Sequence, residues 1–198
     1  CRASLSRTQP PLAPNRAAGA LDRLPRAQAA FSAALRAEEL SDRPMAHNNL
    51  ANARSAAGDD SPAVEAEYRR GLELAPNYPY LLNGLANELS SRGRDDEAIH
   101  VARRAIAVNP RAHYITFNLA NFLRSAKKAP EAERMYRRAL RDSSGADARY
   151  YQGLGILYHE SGRAAEAVEQ YTRAVATADT RSVGLERDLA TALREAER

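Results

Sequence analysis

Several common functional features are missing from this 198-residue chain. Tryptophan is absent, and the single cysteine is Cys1, so no internal disulfide is possible and no Cys-x-x-Cys or Cys/His zinc pattern exists. No apolar run approaches the roughly 18–20 residues that a membrane helix requires. Runs of β-branched residues are scarce, which argues against a sheet. His47, His100, His113 and His159 are scattered, and the His159–Glu160 pair has no second histidine at metal-site spacing. There is no Gly-x-Ser-x-Gly elbow and no phosphate loop. These absences point away from an enzyme, a cofactor, a metal site and a small-molecule substrate. Excess charge is also confined. Five arginines and one aspartate in residues 1–26 account for the whole net charge of +4, and the remainder is neutral. A nucleic-acid-binding fold concentrates basic charge on its folded part, so nucleic acid is not an expected partner.

The chain does contain alanine, leucine and a period. "LAN" occurs at 50–52, 85–87 and 119–121, with an altered "LGI" at 154–156. The intervals between the leucines are 35, 34 and 35 residues. A second set follows in the same register. Val64, Ala98, Ala132 and Ala167 align, as do Tyr68, Ala102, Tyr136 and Tyr171. Gly71, Ala105, Ala139 and Ala174 form a third row, and Leu72, Ile106, Leu140 and Val175 a fourth. Offsets of four, three and one lie along one helical stripe. A period near 34 with this patterning reads as an all-α solenoid of helix pairs.

The stretch "LLNGLANELSSRGRDDEAIHVARRAIAVNP" (81–110) resembles the tetratricopeptide repeat. It has Leu85–Ala86 and Leu89 in its first helix, Gly93 at the turn, Ala98 and Ala105 in its second, and Pro110 at its end. The fourth unit keeps Leu154–Gly155, Tyr158, Gly162, Ala167, Tyr171 and Ala174. Departures are Val64 for a small residue, an extra residue in "AGDDSP", Lys127 for the turn glycine and Ser144 for the closing proline. The resemblance implies four units (43–76, 79–110, 113–144 and 147–178) in a right-handed superhelix of antiparallel pairs. Residues 22–40 read as a leading half-repeat and 181–197 as a capping helix, making ten helices and one solenoid domain over 22–198. Pro44 and Pro62 suit first helical turns, and Ser61 suits an N-cap.

The resemblance further implies that the first helices line a concave, peptide-binding face. Asn52, Asn87 and Asn121 lie roughly 200° around the helix from the leucine contact. Asn49, Asn83 and Asn118 lie nearby in sequence. An amide's donors and acceptor match the backbone of an extended peptide. Tyr80, Tyr114 and Phe117 are the expected aromatic anchors, and Arg124 and Arg149 the expected charged contacts. Tyr151 and Tyr158 are expected to pack between helices.

Residues 1–21 have no helical period and read as a basic, proline-containing tether. A chain starting at Cys resembles a processed bacterial lipoprotein, lipidated at Cys1. Arg2, in place of the aspartate associated with inner-membrane retention, points to the outer membrane, facing the periplasm. The combination is similar to pilotin-type and pilus-assembly lipoproteins with tetratricopeptide repeats. Such proteins bind and position a protein partner in an envelope complex. Two other readings are kept: an accessory subunit docking through its outer faces, and a soluble cytosolic module of the cochaperone kind. Lipidation has a direct check. Intact-mass spectrometry of the native protein is expected to show acyl mass on Cys1, and Cys1→Ser is expected to move the protein to the aqueous fraction. Unmodified wild-type protein in that fraction would contradict the lipoprotein reading.

Overall fold

The computed structural model describes residues 43–197 apart from 146, 179 and 181. Cys1, the expected tether and the expected half-repeat 22–40 therefore lie outside the described residues. Nine helices follow one another among those described. They are α1 (Pro44–Ala56), α2 (Pro62–Leu74), α3 (Pro79–Ser91), α4 (Asp95–Val108), α5 (His113–Ser125), α6 (Ala129–Asp142), α7 (Ala148–Glu160), α8 (Ala164–Thr177) and α9 (Val183–Ala196). They pack as consecutive antiparallel pairs, with α9 against α8 at the end. Each first helix also touches the next, α1 to α3, α3 to α5 and α5 to α7. The second helices, α2, α4, α6 and α8, spread apart. The first helices therefore line the tighter, concave side.

Local chemistry sets the helix ends. Pro44, Pro62 and Pro79 occupy the first turns of α1, α2 and α3, where a missing N–H costs nothing. The Ser61 side chain accepts from the Ala63 N–H at 3.3 Å, and Asp147 accepts from the Arg149 N–H at 3.0 Å. The turn after α3 closes on Gly93 at φ +74°, and the Arg94 N–H donates to the Leu89 carbonyl at 2.9 Å. After α5 the same turn is made by Lys127 at φ +59°, with the Lys128 N–H on the Leu123 carbonyl at 2.8 Å. The family's turn thus survives without its glycine, at the cost of a side chain in the left-handed region.

The core follows the repeating rows. The "LAN" leucines, Leu50, Leu85 and Leu119, and their counterpart Leu154 are at most 4% exposed. The rows of Val64, Tyr68 and Gly71 are buried in every unit. The Leu72 row differs: Leu72, Ile106 and Leu140 are half-buried and Val175 is exposed. That row lies where the second helices part. Leu72 borders a cleft of about 650 Å³ between α2 and α4, and Leu140 one of about 530 Å³ between α6 and α8.

The junctions between units are not all alike. The Tyr68 ring lies across Gly84 of the following first helix. A Cβ on Gly84 would sit 2.3 Å from Tyr68 Cε1 and 2.8 Å from its Cζ. The Tyr136 ring meets Gly153 in the same way, at 2.7 Å. Between these junctions the second helix carries Ala102, and the following first helix carries Asn118 where the others have glycine. Large meets none, and small meets medium. The ion pairs share the alternation. Arg94 reaches Glu65 at 2.8 Å across the first junction, and Arg163 reaches Glu133 at 2.8 Å across the third. The middle junction has Ile99 in place of the glutamate and uses Lys128–Asp96 at 2.6 Å and Arg103–Glu131 at 2.8 Å. The first and third units are thus alike, whereas the fourth, with Tyr171 facing a helix that carries Asp188, does not repeat the second.

Two substitutions test these points by denaturant unfolding. Gly84→Ala is expected to lose about 1–2 kcal/mol, because overpacking against Tyr68 outweighs alanine's better helix propensity. Unchanged or higher stability would mean that the ring yields freely. Lys127→Gly is expected to gain about 1 kcal/mol by relieving the left-handed backbone. A loss would contradict the strain assigned to that turn.

Candidate partner-binding face

The concave face is built from side chains that the first helices turn away from their leucine seam. Tyr80, at the start of α3, is 56% exposed. Its ring stacks on Tyr114 of α5, with centroids 6.3 Å apart and planes 18° apart. Tyr78 flanks it at 5.7 Å, so three rings form a shelf. Tyr114 is half-buried, and burial first, then the Tyr80 phenol, push its pKa up. Phe117 is committed to packing instead. It stacks on the buried Tyr150 at 4.6 Å and sits beside Gly153. His113 Nδ1 meets the Tyr150 hydroxyl at 2.8 Å, so rings continue inward from the shelf. The inner members, His113 and Tyr150, are not among the anchors expected from the sequence. Their signal is that α3, α5 and α7 each carry aromatic residues in the first turn.

The asparagines divide by what their oxygens do. The Tyr68 hydroxyl donates to Asn52 Oδ1 at 2.7 Å, and the Tyr136 hydroxyl donates to Asn121 Oδ1 at 2.6 Å. Burial pushes the Tyr68 pKa up to about 12 and raises that of Tyr136, so both stay protonated donors at neutral pH. Asn87 belongs to the unit with Ala102 and has no such tyrosine; it is exposed, and its side chain makes no hydrogen bond among the described residues. Asn118 Nδ2 donates to Asn83 Oδ1 at 2.9 Å, joining α5 to α3. Gln152 Nε2 and Asp188 Oδ2 join α7 to α9 at 3.2 Å in the matching positions. Asn49 is exposed, beside Asn48 at 3.5 Å. The "LAN" asparagine is therefore an acceptor for the second helix in two units and open in the third. Its N–H₂ group remains outside those tyrosine bonds in all three.

The two expected cations are already paired. Arg124 Nη1 lies 2.6 Å from Glu160 Oε1, and Arg149 Nη2 lies 2.6 Å from Asp147 Oδ2. The Arg149 hydrogen bonds hold the Asp147 carboxyl below its usual range. Tyr80, Asn83, Asn87, Tyr114, Asn118 and Asn121 thus share a neutral stretch across α3 and α5, with Asn49 and Asn52 extending it along α1. Arg124 and Arg149 lie toward its C-terminal side. Among the described residues no cluster of His, Cys, Asp and Glu is arranged to hold a metal, and no helix is long and apolar enough to cross a membrane.

Comparison with known proteins agrees with this architecture. The tetratricopeptide-repeat profiles match residues 16–79 and 112–180, together more than half of the chain. No curated protein matches the chain in sequence. Among solved structures, the thermophilic tetratricopeptide-repeat protein TTC0263 of Thermus thermophilus is 24% identical, with a TM-score of 0.72 over 90% of this chain and 95% of its own. PilF of Pseudomonas aeruginosa is 20% identical, with a TM-score of 0.70 over 78% of this chain and 69% of its own. YrrB, described as having an unusual peptide-binding site, is 17% identical, with a TM-score of 0.64 over 92% of this chain and 88% of its own. At these identities the likeness is one of fold. With the profile matches, the 34–35-residue period and the stacked helix pairs, the chain belongs to the tetratricopeptide-repeat family.

Proposed function

We propose that this protein is a non-catalytic scaffold whose first-helix face holds a segment of a protein partner in a bacterial envelope assembly of the pilus or secretin kind. The observation that carries the scaffold reading is the face itself. Tyr80 and Asn87 stand exposed about two turns apart on the same side of α3, and neither is needed by the core. Lipidation of Cys1, an outer-membrane location facing the periplasm, and the tether role of residues 1–21 belong to the same proposal. A lipid anchor with adjacent arginines attracts anionic head groups and holds the neutral solenoid near the membrane. The likeness to PilF supports the fold of such a protein and leaves its partner to experiment.

Two observations weigh on the other readings. Recognition of a charged peptide tail needs unpaired cations in the groove, whereas Arg124 and Arg149 are each neutralised by a carboxylate. This counts against the cytosolic cochaperone reading. The accessory-subunit reading draws on the outer face, where the α2/α4 and α6/α8 clefts repeat in equivalent positions.

Site-specific photo-crosslinking in the native envelope separates the two remaining readings. A crosslinker at Asn87 is expected to capture a protein partner, and one at Arg104 on the outer cleft is not. Capture from Arg104 alone would overturn the groove and favour docking through the outer face.

A further inference from the structure

Helix α9 and the sequence of residues 22–40 are opposite halves of one repeat. We propose that the protein associates head to tail, independently of what the concave face holds. The open face of α9 in one copy receives residues 22–40 of the next copy as its second helix.

The uncovered half is α9, which stands in the place of a fifth first helix. Leu185 is buried against the array, as Leu81, Ile115 and Tyr150 are in their units. The residue after the "LAN" leucine turns instead toward the second helix of its own unit. A Cβ on Gly155, in that column, would lie 2.8 Å from Tyr171 Cε1. Ala51, Ala86 and Ala120 are fully buried there, whereas Ala190 of α9 is exposed. The residue four beyond the leucine lies between two successive second helices. Tyr158, in that column, donates to Glu133 of α6 at 3.0 Å and lies 4.2 Å from the Arg163 guanidinium that leads into α8. Leu89, Leu123 and Tyr158 are at most 2% exposed, and Leu193 is 43% exposed. Among the described residues, α9 packs on α8 and no second helix lies over Ala190 and Leu193.

Residues 22–40 have the sequence that fills this place. Ala27, Phe31, Ala34 and Leu35 repeat the second-helix spacing, and the repeat profile that ends at residue 79 begins at residue 16. Phe31 takes the column of Tyr68 and Tyr136, whose units carry Ala51 and Ala120 after the leucine. Ala190 is the matching partner in size. Residues 1–21 hold Pro10, Pro11, Pro14 and Gly19 and have no helical period, so they supply no first helix for 22–40. Charge agrees. Arg23 stands in the column of Arg94, Lys128 and Arg163, which reach Glu65, Asp96 and Glu133 on the preceding second helix. Glu65 and Glu133 also hold Arg69 and Arg137 four residues on. In the joint the preceding helix is α8, where Glu169, one position further along, holds Arg173 in the same way.

The pairing is between copies. Residues 41–43 span at most about 14 Å between position 40 and Pro44. Three other first helices, α3, α5 and α7, separate α1 from α9, at about 8–10 Å for each step. Residues 22–40 therefore reach α9 only in another copy. The two faces differ, so the contact is heterologous and each joined copy keeps one face open for the next.

The test uses the full chain carrying Cys1→Ser, which removes a Cys1 disulfide or a shared lipid as a cause of association. Sedimentation velocity is expected to show the mass rising with concentration through multiples of 21.7 kDa. Leu193→Arg puts a charge in the joint and is expected to weaken association at least about tenfold. Its melting temperature at low concentration is expected to stay unchanged, because the side chain is already half open. Phe31→Asp is expected to weaken association from the other side. Each variant keeps one intact face, so an equimolar mixture is expected to form a pair with one copy of each and nothing longer. Wild-type-like association of Leu193→Arg overturns the proposal, and so does a Cys1→Ser chain that keeps the mass of one copy at submillimolar concentration. Two folded variants that fail to pair also overturn it. If Phe31→Asp lowers the melting temperature, Leu193→Arg decides alone.

Discussion

A tyrosine ring laid flat over a glycine, with its hydroxyl held by an asparagine, is the contact on which the spacing of this array depends. In the first and third units the second helix carries that tyrosine, as Tyr68 and Tyr136. The following first helix must approach closely enough to cover it, and only glycine leaves room. The asparagine on the preceding first helix fixes the far end of the ring. One side chain therefore sets the distance between three helices belonging to two units. Burial of the ring stabilises the seam, and the hydroxyl bond keeps its polar end from being an unsatisfied cost.

This contact occurs at the first and third junctions and is missing from the second and from the seam with α9, where Tyr171 faces a helix carrying Asp188. Junctions with tyrosine and glycine flank one with Ala102 and Asn118, and the Arg–Glu bridges on the second helices alternate in the same order. Structure and binding surface then become linked. The same asparagines that receive tyrosine hydroxyls also line the concave face. Their internal bonds engage one lone pair of each oxygen and leave the N–H₂ group outside the tyrosine contact. In the middle unit, which carries Ala102 in place of the tyrosine, the Asn87 side chain is exposed about two turns along α3 from Tyr80.

Much of this fold was readable in the residue order. The leucine period, the small-residue rows and the prolines at helix starts are local or strictly periodic signals, and they match the nine described helices. The expected tenth helix, 22–40, and Cys1 fall outside the described residues. The candidate face was legible as a set of positions but not as a set of interactions. Asn52 and Asn121 were visible as neighbours of the leucine seam, yet their tyrosine donors come from a different helix. Phe117 looks like an exposed anchor in the sequence, and its stacking on Tyr150 depends on how closely α5 and α7 approach. The pairing of Arg124 with Glu160 likewise joins residues from different units. Correlated reading of the tyrosine, alanine, glycine and asparagine columns carries part of that information. Tyrosine in one column goes with glycine in the next at the first and third junctions and alanine with asparagine at the second, while Tyr171 is followed by Asp188 in the capping helix.

The claim that asparagine serves the second-helix tyrosine is tested most directly by a double-mutant cycle on Asn121→Ala and Tyr136→Phe, read by denaturant unfolding. Their hydrogen bond is 2.6 Å long, and each single variant is expected to lose stability. The double variant should lose less than their sum, with a coupling of about 0.5–1.5 kcal/mol. Strict additivity of the two losses would show that the hydroxyl and the amide do not support each other, and would remove the contact from which the spacing of the array has been argued.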